Sequence, residues 1–241
     1  MLIKTRAIVL HSIKFGESQY IVDMFAEATG RVAFIQKVLP SGRGKIRKQL
    51  FQPLSLLDIE FDLRPKVRLQ RLKEARLLVP YATIPFDPYK LSLTIFVAEF
   101  LLHVTRNEQQ NKPLFEYVAA SLQWLDGCER SFSNFHLVFM MRLSLFVGFF
   151  PNLDKAGDGV FFDFRAGCFV RQQPLHPDFL PPADAARLRV LMRMTFDNMH
   201  LFAMSRVERN LCVDFILKYY RLHFPDFPEM KSLDVMKSLF A

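Results

Sequence analysis

Hydrophobic and polar positions alternate through the first third of the chain. In Leu57–Leu63, Leu57, Ile59, Phe61 and Leu63 fall on one side, and Asp58, Glu60 and Asp62 on the other. That is the period of a strand buried on one face. Ala7–Ile13, Tyr20–Phe25 and Arg31–Val38 are of similar length and rich in β-branched and aromatic residues, which suits them to strands. Val67–Val79 supplies a fifth strand, whose alternation slips near Arg71–Leu72 as a bulge makes it. Turn residues separate these runs: Gly16-Glu17-Ser18, Ala28-Thr29-Gly30 and Pro40-Ser41-Gly42. Five short strands in so little chain suit a closed barrel of the OB-fold type.

Pro80, Pro85 and Pro88 interrupt the alternation, and beyond them the period becomes helical. Tyr89–Arg106 places Leu91, Ile95, Ala98 and Leu102 along one face, bordered by Glu99 and His103. Pro113–Gly127 and Asn134–Phe149 continue the helices, the latter apolar almost all round and therefore central. Val160–Val170, with Arg165-Ala166-Gly167 in its middle, predicts a β-hairpin inserted among the helices. Ala183–Met199, Val207–Phe224 and a short closing helix Ser232–Phe240, with Ser232 as N-cap, complete the pattern. The expected architecture is α+β and multidomain: an N-terminal five-stranded OB-fold barrel over residues 1–80, then an all-helical domain over 81–241 carrying a small hairpin near 160–170.

Composition narrows the class. With 241 residues, 51% of them hydrophobic and 26 of them Phe, the chain can bury a substantial core and is no disordered tail. Its most apolar stretches, Leu91–Val104 and Phe135–Phe150, are broken by Glu99, His103, His136 and Arg142 and fall short of a membrane span. Charges scattered through MLIKTRAIVLHSIKF argue for a strand and against a signal peptide. A soluble cytoplasmic protein without a membrane partner is expected. Cys128, Cys168 and Cys212 form neither a disulfide framework nor a CxxC pair.

The net charge of +8 is unevenly spread. Residues 1–80 hold 15 Lys/Arg against 7 Asp/Glu, whereas residues 81–241 hold 17 of each. A basic excess confined to one segment is the footprint of a polyanion-binding domain joined to a neutral body. It is densest in Lys37–Lys48, KVLPSGRGKIRK, where Lys37, Arg43, Lys45, Arg47 and Lys48 accompany two glycines and no acid. Such a loop can fit its donors to an irregular phosphate path. Arg31, at the start of the preceding strand, extends the surface. The aromatic residues Tyr20, Phe34 and Phe51 are candidates for stacking bases.

Catalytic and metal-binding patterns fail. Gly44-Lys45 does not make a phosphate-binding loop, because Leu39 and Ile46 stand where Gly and Ser or Thr are needed. Asp58, Glu60 and Asp62 spread over about 13 Å at strand spacing, too far apart to share one ion, and pairing with basic residues such as Arg68 and Lys73 is expected. The six histidines have no ligand spacing, and there is no Gly-x-Ser-x-Gly elbow. No metal, cofactor or catalytic centre is expected. A protein–protein adaptor, whose basic barrel binds an acidic partner, is the alternative to nucleic-acid binding, and RNA stays open beside DNA.

The chain resembles the RecO family of bacterial recombination mediators, in the form found in the Bacteroidetes. The residues that carry the resemblance are Ala7-Ile8-Val9-Leu10, Glu17, Tyr20-Ile21-Val22, Phe25 and Gly30 with the basic loop after it. Further on they are Gln52-Pro53-Leu54, Arg71-Leu72-Lys73-Glu74, Ala98-Glu99, Leu114-Phe115 and Asn134-Phe135-His136. Tyr219-Tyr220-Arg221-Leu222-His223 and Met230-Lys231-Ser232-Leu233 add to it near the end. The resemblance implies an OB-fold and a helical domain that bind single- and double-stranded DNA and anneal complementary strands. It also implies RecR as a partner in loading RecA, docking on the acidic, apolar C-terminal tail of single-stranded-DNA-binding protein, and work at the nucleoid. Many members carry a four-cysteine zinc ribbon in the helical domain. Here the hairpin keeps only Cys168, so zinc is not implied.

Overall fold

The computed structural model describes residues 1–38, 46–224 and 226–239. Strands β1 (Leu2–Phe15), β2 (Gln19–Ala26), β3 (Gly30–Lys37), β4 (Leu56–Asp62), β5 (Leu69–Gln70) and β6 (Leu72–Leu77) form one sheet in the order β5-β3-β2-β1-β4-β6. The neighbours are antiparallel except β3 and β5, which run parallel. β5 and β6 are consecutive pieces of one stretch, parted by Arg71. One stretch of chain therefore occupies both edges of the sheet, which curls on itself in the OB manner. The sheet interior is apolar, with Val22, Met24, Phe34, Leu57, Ile59 and Phe61 buried together and the Phe34 and Phe61 rings edge to face at 5.0 Å.

Two irregularities shape the barrel. β6 slips against β4 at Lys73, since Phe61 faces Leu72 while Glu60 faces Glu74. That is the bulge the sequence pattern predicts near Arg71–Leu72, one residue further on. β1 carries another at Leu10, between the pairs Val9–Met24 and His11–Asp23, and this one changes which residues of β1 point outward.

The chain divides into two compact units, Met1–Gly127 with Met230–Met236 and Cys128–Glu229 with Lys237–Ala241. Helices α1 (Pro88–Val104) and α2 (Lys112–Gly127) thus stand with the barrel, and the division lies well beyond the proline-rich stretch at residue 80. Asp87 caps α1 by accepting from the Tyr89 and Lys90 amides, with Pro88 in the first turn. The Asp126 carboxylate accepts from the amides of Ala82, Thr83 and Ile84, tying the proline-rich stretch to the end of α2. α1 turns a different face inward from the one its spacing suggests. Leu91 and Ile95 are exposed, whereas Leu93, Phe96, Val97, Phe100, Leu101 and Val104 are buried. The helix is apolar all round, so periodicity alone does not choose a face.

In the second unit, α3 (Phe135–Phe146), α4 (Pro182–Arg193) and α5 (Arg206–His223) pack on one another, and α4 lies against a three-stranded sheet. Its strands β7 (Phe161–Asp163), β8 (Cys168–Val170) and β9 (Phe179–Leu180) lie in the order β8-β7-β9. The expected hairpin is present and gains a third strand. It is fastened by Asp178, which pairs with Arg165 and Lys218, and by Asp163, which accepts from the Arg165 and Ala166 amides. α4 stops at Arg193, short of the expected Met199, because the Thr195 and Asn198 side chains bond each other's backbone and Asn198 caps the Arg193 carbonyl. α5 begins with a capping box, Ser205 with Glu208. The last helix, α6, runs Leu233–Ser238. Ser232 precedes it, its hydroxyl donating to Glu99, and Phe240 lies outside the described residues. Among the described residues no helix is long and apolar enough to cross a membrane.

Candidate nucleic-acid interface

The basic loop starts where β3 ends. Lys37 is exposed at that end, and Arg47 and Lys48 are exposed where the chain returns to the barrel through the short turn Lys48–Phe51. The Lys48 ammonium lies 5.7 Å from the centroid of the Tyr20 ring, a cation–π arrangement. Tyr20 neighbours Gln36 across β2 and β3, so Lys48 stands at the same end of these strands as Lys37. Arg43 and Lys45 lie outside the described residues.

Four sequence candidates have other employment. Phe34 is fully buried against Phe61, and Phe51 is buried in the same core. Neither ring can receive a base, because the alternation that made them strand aromatics also points them inward. Tyr20 is partly buried against that core, with Lys48 over its ring. Arg31 pairs with Asp23 at 2.9 Å and donates to the Leu102 carbonyl at 3.1 Å. Its guanidinium fastens the barrel to the end of α1, where it serves folding before any ligand.

A second basic surface was not anticipated from the sequence. Between β4 and β5 the exposed run Arg64-Pro65-Lys66-Val67-Arg68 forms a tight loop. Gln70, 95% buried, holds it from beneath: its amide donates to the Arg64 and Val67 carbonyls and its oxygen accepts from the Arg64 amide. Because β5 pairs with β3, this loop borders an open groove of about 960 Å³ lined by Arg64, Arg68, Arg106, Asp23, Arg31 and Ala33. Arg64, Lys66, Arg68 and Arg106 form no ion pair among the described residues, while Asp23 is matched by Arg31. The signal lay in the run itself, three cations in five residues, but the expected strand beginning at Val67 absorbed part of it.

The acidic face of β4 is paired strand by strand: Asp58 with Arg76, Glu60 with Lys4 and Asp62 with Lys73. Lys73 is as expected, and Arg76 and Lys4 take the other places. Among the described residues no three His, Cys, Asp or Glu gather to hold a metal ion. Cys212 is buried, and that burial pushes its thiol up to about 12, which leaves it inert.

Residues 1–81 match the family model described as the N terminal of recombination protein O, and residues 85–233 match its C-terminal counterpart. Over 241 residues, covering the whole of both chains, the sequence is 50% identical to a protein of Phocaeicola vulgatus named DNA repair protein RecO. It is 48% identical to the protein of that name from Bacteroides fragilis, again over both full lengths. The Flavobacterium psychrophilum protein of that name is 30% identical over 243 aligned positions, also end to end.

Proposed function

The chain belongs to the RecO family of DNA repair proteins, and on that premise we propose that its basic barrel holds DNA strands by their phosphates and brings complementary strands together. A role in DNA repair and recombination comes with the family. The observation that carries the finer reading is the confinement of the whole charge excess to residues 1–80, on a barrel whose cations stand exposed at both ends of β3. Phosphate contacts release counterions and so supply affinity that ignores sequence. Annealing then needs no catalytic group, because neutralising two backbones at once removes the repulsion that keeps complementary strands apart.

In this reading Lys37, Arg43, Lys45, Arg47 and Lys48 grip single- and double-stranded DNA. The helical part recruits partners: RecR, through it the recombinase RecA, and the acidic tail of single-stranded-DNA-binding protein. Replacing Arg43, Lys45, Arg47 and Lys48 together by Ala should weaken binding to a labelled oligonucleotide and flatten its salt dependence. At ~0.7 per lost contact on single strands, the slope of log affinity against log salt should fall by about 3. A quadruple variant with unchanged affinity and slope would sink the assignment. Preference of the chain for an acidic peptide over the oligonucleotide would favour an adaptor instead.

A further inference from the structure

Helix α1 is apolar on two sides, and folding spends one of them. Leu93, Phe96, Val97, Phe100, Leu101 and Val104 are buried, which secures the helix within the first unit. On the other side Leu91, Ile95, Ala98 and Leu102 follow one another at steps of four, three and four, over roughly 16 Å at ~1.5 Å per residue. Leu91 is 44% and Ile95 47% exposed. The side of a helix that meets water ordinarily carries polar residues, so a second apolar stripe is a surface suited to burial. This stripe floors two adjoining recesses of about 590 and 600 Å³, which share Pro53 and Ile95. Leu77 and Pro80 border the recess at the Leu91 end, and Leu10 and Val235 the one at the Leu102 end, all within the first unit.

Spacing and charge together select the occupant. Apolar residues at four-three-four steps along a helix present the holes into which the side chains of a second helix lock, at a crossing of ~20°. Glu99 is the one carboxylate among the described residues lining either recess. It is already engaged, accepting from the Lys231 and Ser232 amides and from the Ser232 hydroxyl. Lys231 stands exposed at the rim and forms no ion pair among the described residues. Lys48, also exposed, adjoins Gln49 on the wall of the other recess. His11 and His103 at the rim can add only positive charge. Such a rim attracts acidic flanks and repels basic ones. It also disfavours a second copy of this chain, which would set Lys231 and the two histidines against their own images.

We propose that the outward seam of α1 is a docking groove for an amphipathic helix of another protein, about three turns long, with an apolar stripe and acidic flanks. Such docking needs no DNA and is independent of how the barrel is read. The probe is a labelled synthetic helix of about 21 residues with Leu at heptad positions a and d and Glu at e and g, whose own charge keeps it from pairing with itself. It should bind the full chain in fluorescence anisotropy, and a counterpart with Lys at e and g should bind roughly tenfold more weakly. Ile95→Glu and Leu91→Glu, both at exposed positions, should each weaken binding of the Glu helix roughly tenfold and leave the circular dichroism of the chain unchanged. If one variant fails to fold, the other decides. No binding of the Glu helix, equal binding of the Lys helix, or full affinity in either folded variant would overturn the groove. Equal binding of a Glu peptide broken by prolines would also overturn it, since the occupant would then be extended. A parent chain that sediments as a dimer, with Ile95→Glu a monomer, would give the seam to a second copy and end the proposal.

Discussion

Gly30 closes the β2–β3 turn with φ at +73°, a region where an L side chain is strained. It is also where the chain after α1 comes closest: the Arg31 amide donates to the Glu108 carbonyl at 2.9 Å. A Cβ at residue 30 would collide with the backbone carbonyl of Gln109. Gly30→Ala therefore meets two penalties at once, backbone strain and a clash with backbone that a flexible side-chain tip cannot relieve. We expect a loss of at least ~2 kcal/mol, read as a lower denaturant midpoint with an unchanged slope. Parental stability in that variant would mean that the Glu108–Gln109 segment yields freely.

The loop between β4 and β5 shows how an element is held for use. Gln70 makes three bonds to the backbone of Arg64–Val67, so the cations on the loop stand on a fixed frame. Gln70→Leu keeps the volume and removes the three bonds, so the Val67 carbonyl and the Arg64 amide lose their Gln70 partner, at ~1–3 kcal/mol. Faster tryptic cleavage after Lys66 and Arg68, with several-fold weaker oligonucleotide binding, is the expected result. Unchanged cleavage would show that the loop is held by other means. This element also marks where sequence reading stops. The half-buried strands were legible because each alternates within itself, as Leu57–Leu63 does. The groove was not, because it arises from the parallel pairing of β3 with β5, a non-local event. β1 also runs on to Phe15, past the Ile13 at which the strand was expected to end, and one extra residue at Leu10 reverses the faces of everything after it. Tyr20, Phe34 and Phe51 drew attention as barrel aromatics, but burial is decided by parity across the whole sheet. α1 is the opposite failure, a helix so evenly apolar that its own sequence carries no preferred side.

Across the molecule the two units answer acid differently. The first holds its ionised groups through bonds to the charged form. Burial pushes the Glu99 carboxyl up, but bonds from Ser232 and Lys231 outweigh it and leave it below its ordinary value. Asp126 behaves likewise against the Ile84, Ala82 and Thr83 amides. Carboxylates held low lose their contribution as the pH falls from the ordinary carboxylate range toward their own depressed values, below the range in which an unfolded histidine titrates. His103 in the same unit is drawn down by partial burial, with Glu99 opposing. The second unit contains His136, fully enclosed on α3, whose burial, aided by the Arg209 charge, pushes it down to about 3. Unfolded, the ring takes a proton near pH 6.5; folded, it resists until about 3. Between those values the unfolded state binds more protons, so stability falls as the pH falls. The loss is ~1.4 kcal/mol per pH unit, or about 2 kcal/mol between pH 6.5 and 5. Calorimetry from pH 7.5 to 5 should therefore show the transition of the second unit moving down while that of the first moves less. His136→Gln should flatten the pH dependence of the moving transition, whatever it does to the midpoint at pH 7.5. If the slope survives the substitution, some other group in that unit titrates, and the acid response does not originate at His136.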